Sequence, residues 1–217
     1  MADDRFRRLI EQGNVGGVRH ALEVDPGFAN RTIHWHLNQH NESDPLHFVS
    51  DCFGNGWLTN GTEGEIAALL LASGAELNGT AGRESPLIAS ASLGAESVAK
   101  VLIEAGAELE RTSIYGSRAL HWAAWMGSLS TVELLIAHGA QLEPKDTEFS
   151  ATPLFWAVHG YGPSGPEEKK DQVAAARVLI GAGANARAVN KEGLSALELA
   201  KLCKGKDMYE LLLRHVH

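Results

Sequence analysis

Apolar residues in this chain fall into short runs of helical character, and each run ends on the same two residues. The runs Ala67-Ala68-Leu69-Leu70-Leu71, Val101-Leu102-Ile103, Val132-Glu133-Leu134-Leu135-Ile136 and Val178-Leu179-Ile180 lead into Gly74-Ala75, Gly106-Ala107, Gly139-Ala140 and Gly183-Ala184. A second phrase precedes each run: Asp44-Pro45-Leu46-His47, Ser85-Pro86-Leu87-Ile88, Arg118-Ala119-Leu120-His121 and Thr152-Pro153-Leu154-Phe155. Ser or Thr followed by Pro is a helix start, with the hydroxyl capping a free backbone N–H and Pro pre-set for the first helical position. Glycine just past a helix supplies the left-handed residue that closes it. Interior glycines, Gly94 and Gly127, separate two short helices within one unit. Each unit therefore reads turn, helix, turn, helix, and recurs every 32 or 33 residues (Gly74, Gly106, Gly139). A unit this small cannot bury its own apolar face, and stacking against neighbours does it instead.

The segment Leu120-His121-Trp122-Ala123-Ala124, followed by Leu134-Leu135-Ile136-Ala137-His138-Gly139-Ala140, resembles the ankyrin repeat family, and the other units repeat it with variation. The resemblance covers about residues 4–215. It implies an all-α, ankyrin-repeat solenoid in a single domain over 1–217, with about six repeats at about 4–30, 39–78, 80–110, 113–143, 147–187 and 190–217. The terminal pairs are atypical: Phe6 to Glu11 with Val18 to Leu22 at one end, and Leu194 to Ala200 with Met208 to Leu213 at the other.

The period is broken in three places. Pro45 to Gly74 spans 29 residues and Pro153 to Gly183 spans 30, against 20 in the regular units. Both excesses fall between the two helices of a unit, as Gly-rich loops over about 53–63 and 160–170 that carry Trp57 and Tyr161. Insertions in repeat arrays map to loops on one face, often the binding face, although surface loops also lengthen at small entropic cost. The third break, Thr32 to Asn41, alternates Ile33, Trp35 and Leu37 with His34, His36 and Asn38, which suits an extended finger.

The stacking that the resemblance implies turns the first helices and the turn tips toward a concave side. Three places after the Pro position lies the row Phe48, Ala89, Trp122, Trp156. Six places after it lies the row Asp51, Ser92, Trp125, His159. These rows are i and i+3 on one helical face. The turn tips add Glu84, Tyr115, Glu148 and Phe149. Two readings stand side by side. Tryptophan can be bulk packed between repeats, or it can line a groove with a few polar groups, as binding hot spots do. The candidate partner-binding residues are Phe48, Asp51, Glu84, Tyr115, Trp122, Trp125, Glu148, Phe149, Trp156 and His159, with Trp57 and Tyr161 on the flanking loops.

Composition narrows the partner. The 217 residues carry 19 basic against 27 acidic side chains, a formal net charge of −8, and no clustered basic run. Nucleic acid and anionic membrane both need clustered Lys and Arg. No apolar stretch approaches the ~20 residues of a membrane span. The start carries no apolar core of a signal peptide, so a cytoplasmic location is expected. The 23 glycines are mostly helix-end punctuation, with the remainder in the two loops.

Chemistry is sparse. His34, His36 and His40 form a weak metal candidate, because a strand would place His34 and His36 on one side with His40 up to ~20 Å beyond at ~3.3 Å per residue. His47 and His121 stand where the ankyrin family carries a structural imidazole. Cys52 and Cys203, in separate repeats, fall beyond disulfide reach. No P-loop, dinucleotide or zinc-finger spacing occurs, and no cofactor is expected. The acid–base candidates for an enzyme are Asp51, Glu84, Glu148 and His159. The leading expectation is a module that binds a protein or peptide, with a basic surface as the best match to the acidic chain. The alternative is a small-molecule-binding protein or enzyme whose pocket is closed by the 53–63 and 160–170 loops.

Overall fold

The computed structural model describes residues 2–35, 41–163, 165 and 171–215. It is mostly helical with little sheet, as an all-α repeat fold requires. The chain divides into two compact units, Met1–Glu108 and Leu109–His217.

The first unit holds α1 (Ala2–Glu11), α2 (Val15–Val24), a 3-10 turn at Pro26–Ala29, β1 (Ile33–Trp35), β2 (Asn41–Ser43), α3 (Pro45–Gly54), α4 (Glu63–Ala72), α5 (Pro86–Leu93) and α6 (Glu96–Glu104). The second holds α7 (Ala119–Met126), α8 (Leu129–Ala137), α9 (Pro153–Tyr161), α10 (Gln172–Gly181), α11 (Ala196–Leu202) and α12 (Lys206–Leu213). In each unit the leading helices of successive pairs pack on one another, and so do the trailing helices. Thus α3 lies on α5 and α4 on α6, while α7, α9 and α11 form one layer and α8, α10 and α12 the other. The layers meet over fully buried Leu46, Leu70, Leu87 and Leu102 in the first unit, and over Leu120 and Leu135 in the second.

The helix starts are built as the local chemistry demands. Ser85 Oγ accepts from the Ile88 N–H at 3.2 Å, and Thr152 Oγ1 from the Phe155 N–H at 3.4 Å. The glycine of every Gly-Ala phrase is left-handed, with φ from +86° to +103°. A polar ladder locks each Gly-Ala turn to the turn before it. The Asn30 side chain accepts from the Glu76 N–H, Asn78 from Glu108, Glu110 from Gln141 and Glu143 from Asn185, at 2.7–2.9 Å. A backbone donor with no helical partner is thereby satisfied at each step.

The finger is a hairpin, with Ile33 opposite Ser43 and Trp35 opposite Asn41. Ile33 and Trp35 are buried and His34 is exposed, as the alternation requires. Leu37 and Asn38, which continue that alternation in the sequence, lie outside the described residues, as do His36 and His40. Among the described residues, no helix is long and apolar enough to cross a membrane.

Candidate functional site

A cavity of about 380 Å³, lined mostly by aromatic side chains, lies in the second unit. Helix α7 contributes Trp122 and Trp125 to its lining, and α9 contributes Phe155, Trp156 and His159. The turn tips supply Tyr115, Glu148 and Phe149 on one side, and Asn190, Glu192 and Leu194 on the other. Leu199 of α11 completes it.

The tryptophans form a perpendicular set. Trp122 meets Trp125 at 6.0 Å between ring centroids with an interplanar angle of 85°, and meets Trp156 at 5.0 Å and 78°. Edge-to-face contact places the positive ring edge on the negative ring face, worth about 0.5–1.5 kcal/mol per pair beyond burial. Trp156 is only 9% exposed, whereas Tyr115 and Phe149 at the turn tips are 46% and 41% exposed.

A buried carboxylate holds this wall in place. Asp146 Oδ1 accepts from the Glu148 and Phe149 N–H groups at 2.8 and 2.6 Å. Its Oδ2 accepts from the Ala151 N–H and from the Trp156 indole N–H, both at 3.0 Å. Four donors satisfy the desolvated charge, and in return the turn and the indole are fixed to one another. His121 adds a second brace. Its Nδ1 accepts from the Arg118 N–H at 3.0 Å, while Nε2 faces the Pro144 and Ala151 carbonyls at 3.2 Å. Burial holds this imidazole neutral, with its pKa pulled down to about 4. Partial burial lowers the pKa of His159 as well.

The first unit carries a different site, a polar cleft of about 410 Å³ that includes Asp51, Glu84, His47, Ser43 and Arg83 in its lining. Ser43 Oγ donates to Asp51 at 2.8 Å and receives the Trp35 indole N–H at 3.1 Å. His47 Nε2 stands 3.5 Å from Asp51 Oδ1, and Nδ1 faces the Glu84 carbonyl at 3.3 Å. Burial works against protonation of His47, but the Asp51 hydrogen bond and charge outweigh it, and the pKa is raised. His47 and His121 occupy the same place in their units yet titrate in opposite directions. Four residues on, where a helix brings side chains together, His47 meets Asp51, whereas the residue there after His121 is Trp125.

The expected site residues therefore separate into three groups. Tyr115, Trp122, Trp125, Glu148, Phe149, Trp156 and His159 line the aromatic cavity of the second unit, and Asp51 and Glu84 line the polar cleft of the first. The acid–base candidates are split accordingly, two to each unit. Phe48, Trp57 and Tyr161 line neither site. Phe48 is fully buried and is core. Trp57 lies across the Trp35 and Phe48 rings at 5.5 and 6.4 Å, and its neighbour Leu58 is buried, so this loop closes the core of its own unit. The Tyr161 ring lies on Gly205, where a Cβ would fall 2.5 Å from it. The alternative expectation is a pocket closed by the 53–63 and 160–170 loops, and the described residues of those loops give it no support. The aromatic cavity is walled instead by α7, α9, α11 and the turn tips, and no described residue of either loop lines it. Residues 164 and 166–170 lie outside the described residues.

Of the metal candidates, His34 is exposed with Nδ1 3.8 Å from Glu42. Among the described residues, no group of three or more His, Cys, Asp or Glu side chains is arranged to hold a metal ion. Cys52 is buried, and desolvation, aided by nearby Glu11 and Asp51, raises its thiol pKa far above the usual range.

Sequence reasoning missed Asp146, Phe155, Asn190, Glu192, Leu194 and Leu199. The three at 190–194 occupy the turn tip after Gly183-Ala184, so carrying the tip alignment one unit further finds them. Asp146 carries no such signal, because its role depends on an indole ten residues away.

Residues 57–146 match the ankyrin-repeat family in three copies. The chain is 28% identical over 101 residues to "Palmitoyltransferase ZDHHC13" of Homo sapiens, a match that covers 46% of this chain and 15% of that protein. It is 35% identical over 83 residues to "Palmitoyltransferase AKR1" of Debaryomyces hansenii, covering 38% of this chain and 9% of that protein. The chain thus spans a small part of the relatives' length. Residues 57–146 thus carry three copies of the ankyrin repeat.

Proposed function

We propose that the chain is an interaction module that captures a partner protein or peptide, with an anchor side chain seated in the aromatic cavity of the second unit. Ankyrin repeats generally mediate protein–protein interaction. The observation that carries the reading is the cavity itself: Trp122 set edge-on to both Trp125 and Trp156, with Trp156 tied to a satisfied buried carboxylate and half-exposed Tyr115 and Phe149 at the turn tips. Held aromatic faces around a desolvated hollow are the form that interface hot spots take. The reading extends the repeat array beyond 57–146, to about six units in one solenoid over 1–217, in a reducing compartment such as the cytoplasm that suits the buried Cys52 thiol.

The test is selection of peptide ligands on the wild-type chain, followed by affinity measurement on Trp125→Ala. Truncating a hot-spot tryptophan costs about 2 kcal/mol or more, so affinity should fall at least about thirtyfold. The melting temperature should stay close to wild type. Unfolding of the variant, or unchanged affinity, would show that Trp125 is packing and defeat the reading.

A second reading has one observation in its favour. A volume of about 380 Å³ falls within the range of about 300–1,000 Å³ typical of small-molecule pockets. Under it, a small-molecule thermal-shift screen yields hits that Trp125→Ala abolishes, while peptide selection yields none.

A further inference from the structure

In the polar cleft of the first unit, His47 stands against two acceptors. Its Nε2 is 3.5 Å from the Asp51 carboxylate, and its Nδ1 is 3.3 Å from the Glu84 carbonyl oxygen. A neutral imidazole has one N–H and one bare nitrogen, so it donates to one acceptor and turns a lone pair on the other. The imidazolium donates to both. His121, at the same place in its own unit, has the opposite surroundings. The Arg118 N–H donates to its Nδ1, and its Nε2 faces carbonyl oxygens, so the neutral ring is the form that fits.

The charges around the ring act in the same sense. Burial opposes protonation of His47, but the hydrogen bond and charge of Asp51, with the Glu84 carbonyl, outweigh it and raise the pKa. The cleft also holds Asp44 at the start of α3, Glu42 on β2, and Arg83 and Glu84 on the turn before α5. Arg83 is committed to Glu42 and Asp44, at 2.5 and 3.4 Å, and His34 of β1 faces Glu42 at 3.8 Å. Of the other elements packed on α3, α5 and the 3-10 turn carry no titratable side chain. On α4, Glu63 accepts from Ser97 and Glu65 faces Arg19, and on α1, Arg7 and Glu11 pair with each other near Cys52. The two acceptors of His47 lie on different parts of the fold. Asp51 shares α3 with His47 and, through Ser43 Oγ, holds the Trp35 indole of the hairpin. Glu84 lies on the turn tip that leads into α5.

We propose that His47 is a proton-operated latch on this cleft, which clamps the Glu84 turn tip to α3 as the imidazolium and frees the tip as the neutral ring. When the proton leaves, the carboxylate, as the stronger acceptor, keeps the remaining N–H, and the Glu84 carbonyl meets a lone pair. Thr80 still donates to Asp44 from its N–H and its hydroxyl, at 2.7 and 2.8 Å, so the tip loosens at its Glu84 end without detaching. Among the described residues of the lining, Arg83 is then the one cation beside Glu42, Asp44, Asp51 and Glu84. The His47 side chain is 19% exposed, so a proton reaches it without unfolding. Release comes as the pH rises through the folded value, above the ordinary imidazole value of about 6.5. The latch couples pH to the shape and charge of the cleft, and it does not depend on what the aromatic cavity binds.

The experiment is NMR on the full chain between about pH 5.5 and 8.5, a range that brackets imidazole titration. The His47 ring resonances give its midpoint. The Thr80 and Arg83 amides, bonded to Asp44 and to the Thr80 carbonyl, report the tip through their exchange, corrected for the intrinsic rate at each pH. The midpoint is expected above about 6.5, and protection of both amides is expected to fall about tenfold through it, as loss of one hydrogen bond gives. Low urea should leave this exchange unchanged, because a local opening exposes little surface. In Asp51→Asn the His47 midpoint should drop below its wild-type value and the tip should follow it. In His47→Gln protection should no longer change with pH. A wild-type midpoint at or below about 6.5, protection indifferent to pH, exchange that rises with urea as global unfolding does, or a pH response that persists in His47→Gln would each overturn the latch. If a variant fails to fold, the wild-type midpoint, tip exchange and urea response decide by themselves.

Discussion

Asp146→Asn isolates what holds the cavity wall. The substitution keeps size and shape and changes the two acceptor oxygens into one oxygen and one NH₂ group. In wild type each oxygen receives two N–H donors: Glu148 and Phe149 on one, Ala151 and the Trp156 indole on the other. Whichever way the amide turns, its NH₂ group faces two donors that it cannot satisfy. A stranded buried donor costs about 1–3 kcal/mol, so the two together cost about 2–6 kcal/mol, with a centre near 4 kcal/mol. At about 2–4 °C per kcal/mol for a chain of this size, the melting temperature should fall by about 8–16 °C. Urea unfolding followed by tryptophan emission measures the loss. Amide exchange then places it: Glu148, Phe149 and Ala151 should lose protection, while the first unit keeps its own. A cost below about 1 kcal/mol, or exchange that rises evenly along the chain, would refute the assignment of Asp146 as the anchor of the turn and the indole.

The remaining predictions concern pH and close packing. His121 is held near pKa 4 in the fold against about 6.5 unfolded. Between those values the unfolded chain binds the extra proton, so stability is full above about pH 6.5 and falls by about 3 kcal/mol as the pH drops toward 4. His47 acts in the other sense, because its raised pKa gives stability that is complete below about pH 6.5 and lost as the pH rises through the folded value. Melting curves of His121→Gln and His47→Gln across pH 4–8 should therefore flatten on opposite sides, and parallel curves would contradict the two environments. Gly160→Ala should be destabilising by about 1–3 kcal/mol or more, because the added Cβ falls 2.1 Å from the Trp125 carbonyl oxygen where α7 and α9 approach. The same clash beside Trp125 should weaken any ligand of the aromatic cavity, and wild-type stability with wild-type affinity would show that the helices part without cost.

The helices and their ends were legible because their causes are local. A Ser or Thr cap, a following Pro and a closing Gly act within four residues, and they stand in the structure where the phrases placed them. Trp122 and Trp125 were legible as neighbours for the same reason, since i and i+3 share a helix face. The hairpin alternation of Ile33, His34 and Trp35 follows from the two-residue period of a strand. The site was only half legible. Alignment found seven of the cavity's lining residues, but it also offered Phe48, Trp57 and Tyr161, which packing placed against other side chains. An aromatic residue in a loop looks the same in sequence whether it faces a ligand or seals a core, because both environments are apolar.

By itself, then, the sequence determined the turn–helix–turn–helix unit, its period and the aromatic character of one helix face, all set by backbone conformation and short-range capping. Tertiary structure alone decided which aromatics line a cavity, that Asp146 ties the Trp156 indole to its turn, and that two histidines in the same register carry opposite protonation preferences. Each of these depends on the free energy of burying a polar or charged group, and that energy is set by which partners the folded chain brings within hydrogen-bond distance.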